Sequence, residues 1–415
     1  MAKPALLMAV ATIVGGGCDY LFQIYMGRTM GPSSYSELSA LLSMFYLVIV
    51  PAQVVSTFLV KQTSYLKAEA REGEIAWLMR KTLLVSAAVG ATIALVMFLL
   101  LSEISSFIYL SSTIPVFLLM AGVIIALVSP VGYGTSQGLQ RFSNNAAYGI
   151  TGPVAKLGLS ILLVTLGFGI AGAIGGVVIS LVLAMIVALF FVRDYFGKER
   201  VPIPADEMVK MRGSLLSVVV AVTCLTVMLN IDIVLARQYL DPNTAGVYAV
   251  CSVLGKILLF LPSSINIVIY PKLAHAHVKK TGTVAMMRLS VLLALAVTGI
   301  VVLLYFLLPT EILRFLYDGD KYIGAASALG IMGVAMALFG TANLFMNYGL
   351  ATNRRTYLGI MVFFTILQVS LIMLFHDSVV TIALDLLVTS AGTTLVSWAY
   401  MEAGPEEAGT EVPAK

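Results

Sequence analysis

The chain has 415 residues, of which 60% are hydrophobic and only 11% charged, and its mean hydropathy is +0.99. A soluble domain carries roughly 25% charged residues, so a water-facing globular enzyme is excluded. With 14 Pro and no short repeat, disorder, collagen and coiled coil are excluded too. What remains is an all-α integral membrane protein, and nothing in it points to a nucleic-acid partner.

A membrane helix needs about 20 mostly apolar residues. Twelve such stretches are predicted, at 5–26, 36–60, 82–102, 114–137, 147–167, 170–192, 214–236, 245–271, 289–308, 323–349, 356–375 and 378–399. In the first, Gly15-Gly16-Gly17 weakens the helix just before Asp19. Between the fifth and sixth, only Gly167, Phe168 and Gly169 break the run. With the N-terminus inside, the inner segments hold 19 of the 25 Lys and Arg. The outer segments hold four: Arg28, Arg237, Arg314 and Lys321. This positive-inside bias predicts a multi-pass protein with both termini cytoplasmic, and the expected location is the plasma (inner) membrane.

Several chemistries are missing. There is no G-x-x-x-x-G-K-[ST], hence no phosphate-cradling ATPase loop. The G-x-G-x-x-G at Gly167, Gly169 and Gly172 lies in an outer turn between membrane helices rather than after a strand, so it does not read as a dinucleotide site. Gly172 and Gly176 instead read as a close-packing helix pair. His275 and His277 sit in an inner loop far from His376, without a third ligand, and no metal site or other cofactor is expected. Cys18, Cys224 and Cys251 are spaced as packing residues. The outer connections are short, the longest spanning 309–322, which leaves no room for a catalytic domain. The expectation is a transporter, not an enzyme.

The chain also repeats itself. Arg28 pairs with Arg237 at an offset of 209, Pro32 with Pro242 at 210, and Pro51 with Pro262 at 211. Lys61 pairs with Lys272 and Gly138-Leu139 with Gly349-Leu350 at 211, then Gly149-Ile150 with Gly359-Ile360 at 210. Two halves of six helices enter the membrane with the same orientation, so they are expected as parallel lobes related by a pseudo-two-fold along the membrane normal. The expected division is 1–192 and 214–400, joined by a basic cytoplasmic linker at 193–213 and followed by a disordered tail at 401–415.

Charges at bilayer depth are costly and commonly face a cavity. The set comprises Asp19, Lys156, Asp232, Lys256 and Asp385. Lys156 lies about nine residues into its helix, or about 13 Å at 1.5 Å per residue, too deep for easy snorkelling. Each half thus carries one deep lysine and one outer arginine, Arg28 or Arg237. Four cations around a shared cavity would bind an anionic head group such as a phosphate or diphosphate. Alternatively the lysines neutralise the aspartates and tie helices together, and the arginines are interfacial anchors. Asp19, Asp232 and Asp385 are candidates for coupling to a proton or sodium gradient. Gln23, Asn230, Asn266, Asn343, Asn347 and Gln368 either line a cavity or bond between helices.

Gly27-Arg28-Thr29-Met30-Gly31-Pro32-x-x-Tyr35 resembles the G-R-x-L-G-P-x-x-Y signature of polysaccharide-type flippases, in the multidrug/oligosaccharidyl-lipid/polysaccharide exporter superfamily. Gln137-Gly138-Leu139-Gln140-Arg141-Phe142 and the run from Lys156 to Gly169 are similar to that family's fourth and fifth helices. The resemblance implies a V-shaped bundle with a central cationic cavity that opens alternately to each face. Its implied cargo is a polyprenyl-(di)phosphate-linked oligosaccharide, moved from the inner to the outer leaflet among membrane lipids, with glycan-synthesis enzymes as possible associates. Twelve spans rather than the fourteen of the lipid II branch, and Asp19 in the first helix, keep proton- or sodium-coupled drug efflux as the alternative.

Overall fold

A computed structural model describes residues 2–212, 215–259, 283–351 and 356–403. The eighth predicted span beyond Leu259, Pro262, Asn266, Lys272, His275, His277 and the tail from 404 lie outside the described residues. Everything regular among the described residues is helical. Among the described residues, ten helices are long and apolar enough to cross a membrane, or eleven counting one bent pair as a span.

The helices follow the predicted spans with instructive departures. Helix α1 runs Ala2–Thr29, followed by α2 (Pro32–Val48) and α3 (Val50–Ala68), which meet at a bend of 42° where a single span was expected. Pro51 sits in the first turn of α3, where its missing N–H and its bias on the preceding residue break the ladder. Helix α4 (Glu72–Leu99) begins ten residues earlier than predicted, and a short α5 (Leu101–Phe107) follows. Then come α6 (Ile114–Gly138), α7 (Phe142–Leu163) and α8 (Gly169–Phe190). Gly167 (φ 92°) and Gly169 (φ 52°) break the run between α7 and α8, in a region of backbone space that other residues rarely enter. The predicted split is therefore observed. Gly176 lies so close to Ser160 that no side chain could be added there, which is the tight pairing its spacing suggested.

Beyond the linker helix α9 (Ala205–Arg212) lie α10 (Leu215–Tyr239) and α11 (Pro242–Lys256). The remainder comprises α12 (Thr283–Leu307), a short α13 (Pro309–Tyr317), α14 (Ala326–Ala351), α15 (Thr356–Leu374) and α16 (Val379–Ala403). By packing, the chain separates into two compact units, which cut across the sequence repeat. One comprises Met1–Ala249 with Arg314–Tyr322, the other Val250–Leu313 with Ile323–Lys415. In the first, α6 and α8 form the centre, with α7 bridging α8 to α1 and α10 packed on α2 and α3. In the second, α14 is central, covered by α12, α15 and α16 around Phe345, Tyr348, Tyr357 and Met401.

The linker is docked rather than loose. Ile203 and Met208 join Leu66, Ile75, Met79 and Tyr195 in one apolar cluster, and Val201 N–H donates to Gly73 O at 3.2 Å. Arg71, at the turn between α3 and α4, bridges Glu69, Glu74 and Glu207, while Arg141 grips Asp194 and Lys198 pairs with Glu72. Arg71 holds the Glu207 carboxyl below its ordinary value near 4.5, and Arg141 likewise lowers Asp194. A carboxylate with a depressed folded pKa contributes above its unfolded pKa and loses that contribution as pH falls through the folded value. We expect limited proteolysis within 193–212 to accelerate below about pH 4.5, and Arg71→Ala to show the same acceleration at neutral pH. Equal cleavage rates in Arg71→Ala and wild type would show that the apolar contacts alone hold the linker.

Candidate functional site

Helices α1 and α7 approach backbone to backbone. A Cβ on Gly15 would come within 2.9 Å of Gly149 O and 3.4 Å of Pro153 Cγ. Pro153 stands inside α7 and has no N–H to offer the carbonyl four residues back, which is that of Gly149. The glycine run in α1 and the proline in α7 thus meet where each helix is most deformable. One turn further on, each helix presents its charge.

Lys156 Nζ donates to Asp19 Oδ1 at 3.0 Å and lies 4.5 Å from the centre of the Phe22 ring. Lys156 is only 8% exposed, whereas the Asp19 side chain is 48% exposed. The ammonium is therefore enclosed between a carboxylate and an aromatic face, both of which stabilise a cation away from water. The carboxylate keeps an open side. An incoming anion would compete with Asp19 for Lys156.

The other predicted residues are placed differently. Arg237 is 3% exposed and spent on the protein itself: Nε donates to Ile108 O at 2.9 Å, Nη1 to Ser36 Oγ at 2.8 Å and Nη2 to Tyr109 O at 3.0 Å. Burial obliges its donors to find internal acceptors in this conformation. Arg28 is exposed and donates to Phe315 O at 3.3 Å. Lys256 is the half-buried last residue of α11 and belongs to the second unit, whereas Lys156 belongs to the first. Asp232 is buried and accepts from Tyr248 O–H at 2.9 Å. Asp385, in the second unit, is 7% exposed, and its Oδ2 has no hydrogen-bond partner among the described residues. Of the predicted set, the structure brings together Lys156 and Asp19.

Among the polar candidates, Asn230 and Asn347 bond back along their own helices, to Thr226 O and Asn343 O at 2.9 Å, rather than across to a neighbour. Gln23 accepts from Tyr35 O–H at 3.2 Å. Sequence reasoning missed Glu37, buried at the start of α2, where it accepts from Ser111 N–H at 3.2 Å and Ser111 O–H at 3.0 Å. The signal was a carboxylate one residue inside a predicted span.

A family profile described as polysaccharide biosynthesis protein matches residues 28–327. No curated protein is significantly similar to the chain. Among solved structures, the chain is similar to an inward-facing multidrug resistance MATE family transporter of the MOP superfamily, with TM-score 0.77 and 15% identity over 98% of this chain and 100% of that one. It is also similar to the lipid II flippase MurJ in an inward closed conformation, with TM-score 0.75 and 13% identity over 98% and 88%. A third is a MOP superfamily transporter from Pyrococcus furiosus Vc1, for which reverse polarity of the binding pocket suggests a different function, with TM-score 0.62 and 15% identity over 97% of each chain. At such identities the likeness establishes a MATE/MOP-like fold.

The unequal exposure of the pair makes its two halves unequal to mutation. Removing Asp19 takes the carboxylate from a buried ammonium and leaves it the Tyr46 hydroxyl and the Phe22 ring, a change that costs less than the about 3–5 kcal/mol of breaking a fully buried pair. Removing the lysine leaves a carboxylate with access to its surroundings. Asp19→Asn should therefore lower the thermal unfolding temperature in detergent more than Lys156→Met does. The reverse order would show that those remaining partners suffice for Lys156.

Proposed function

This chain belongs to the polysaccharide biosynthesis protein family, and we propose that it is a transporter that moves a polyprenyl-(di)phosphate-linked oligosaccharide from the inner to the outer leaflet by alternating access. The observation that carries the reading is Lys156, a cation enclosed at membrane depth whose carboxylate partner is half open. A phosphate oxygen offers that ammonium the same kind of charge-assisted bond as Asp19 does. Exchange of one anion for the other keeps the lysine paired throughout, which avoids the cost of a bare charge in low dielectric. Lys256, from the second repeat, supplies the matching cation, and Arg28 an outer contact as the head group leaves. Asp19, Asp232 and Asp385 remain the carboxylates through which a proton or sodium gradient would act.

The proposed architecture has twelve spans in two parallel six-helix lobes related by a pseudo-two-fold, V-shaped about a central cavity. Counting supports it: the 49-residue run Phe142–Phe190 is interrupted at Gly167–Gly169 and is about twice the length one crossing needs. The distribution of Lys and Arg supports cytoplasmic termini in a plasma membrane. Enzymes of glycan synthesis would supply the cargo on the inner face. The half-exposed Asp19 in the first helix favours one second reading, cation-coupled efflux of amphipathic drugs.

Leaflet-specific accessibility of a lipid-linked oligosaccharide in proteoliposomes separates the two. Wild type should translocate the lipid, and a folded Lys156→Ala/Lys256→Ala variant should lose that activity by at least about tenfold, as expected for loss of charge-assisted contacts. If wild type moves no such lipid but exports a cationic dye under an imposed proton or sodium gradient, the efflux reading replaces this one.

A further inference from the structure

The outer ends of the two sequence repeats exchange contacts at matching positions, all within the first packing unit. Arg237 donates to the carbonyls of Ile108 and Tyr109, just past the end of α5. Arg28, its counterpart 209 residues earlier, donates to Phe315 O in α13. Each arginine therefore grips the short outer helix of the other repeat. Those two helices end alike: Tyr109 (φ 49°) and Asp318 (φ 58°) both take the left-handed conformation, and they too are 209 apart. The closing bonds repeat the interval, Leu110 N–H to Ser105 O and Gly319 N–H to Arg314 O.

The proline-led starts of α2 and α11 abut in the same reciprocal way. Ser36 Oγ donates to Pro242 O at 2.9 Å, and its counterpart Gly246 sits against Pro32 O with no room for a side chain. Each partner of one contact is the repeat image of a partner in the other, as a two-fold interface requires. The Gly27–Tyr35 motif completes the closure. Gly27 lies under the Tyr317 ring, where a Cβ would clash, and its carbonyl accepts from Tyr322 O–H at 2.9 Å. Tyr322 packs edge-on against Tyr317 at 5.4 Å and against the buried Tyr35 at 6.2 Å.

We infer that this motif and its repeat image form a two-part latch on the outer side, in which Arg28 and Arg237 act as catches on the opposite repeat's outer helix for as long as the latch is shut. The latch must part for cargo to leave outward, a role that rests on the transport reading, although the closure itself does not. Its halves are unequal. Arg237 is buried with three bonds, whereas Arg28 is exposed with one long bond, so the Arg28 side opens readily and the Arg237 side governs full opening. Under this assignment Arg28 meets the head group only after release.

The test uses Ser39→Cys, a near-isosteric reporter buried one turn deeper on α2, in a full chain whose Cys18, Cys224 and Cys251 are replaced by Ala. A membrane-impermeant maleimide is applied from the outside. Arg237→Gln should raise the labelling rate at least about tenfold, and Arg28→Gln only about two- to threefold, in keeping with loss of several buried charged bonds against one exposed bond. Tyr322→Phe, which removes one hydroxyl, should fall between them. Unchanged labelling in Arg28→Gln and Arg237→Gln overturns the latch. If Arg237→Gln does not fold, Tyr322→Phe decides, and an unchanged rate there overturns it. Labelling needs no substrate, so a failed lipid translocation assay sinks the flippase reading without touching this result.

Discussion

An ammonium in hydrocarbon has no water to turn to, and the first unit is arranged around that constraint. Lys156 can sit at depth because α1 and α7 come close enough for Asp19 and the Phe22 ring to enclose it. That approach in turn needs a glycine at position 15 and tolerates Pro153 because the carbonyl it frees is covered by the facing helix. Arg237 obeys the same rule in the last turn of α10, trading water for two carbonyls and a hydroxyl. Asp232 does so with Tyr248. Charge, helix crossing and local weakness of the ladder are thus one feature seen at three scales.

Deformability follows from the same residues. A helix that carries Gly15-Gly16-Gly17 next to its charge, against another that carries a proline three residues before its own, bends more cheaply there than anywhere else along its length. The chemistry and the hinge are therefore in the same place. The Lys156–Asp19 bond therefore joins the two helices within a turn of where the glycine run and the proline weaken them.

Much of this was legible in the sequence. Hydropathy marks the spans because lipid leaves no alternative to continuous helix, and the break between α7 and α8 is visible because only glycines tolerate the backbone found there. The bend between α2 and α3 was not read, although Pro51 announced it, because the apolar run continues unbroken through the bend. The short helices α5 and α13 carry too few residues to declare themselves by periodicity. Lys156 stood out as a deep cation, but its choice of Asp19 over the other aspartates depends on a helix crossing that no local pattern encodes. The internal bonds of Arg237 were not legible for the related reason that two of its acceptors are backbone carbonyls, and every residue has one. Glu37 went unnoticed at a span edge where charge is ordinary.

The discontinuity of the first unit has a temporal side. Its last piece, Arg314–Tyr322, is made about 65 residues after Ala249, so at synthesis rates of about 5–20 residues per second it arrives several seconds after the rest of that unit. Until then Gly27 has no aromatic roof and Arg28 no carbonyl to grip. The first unit is therefore completed only after α12 has been made. Correct threading of the late helices is in this way registered by the first one.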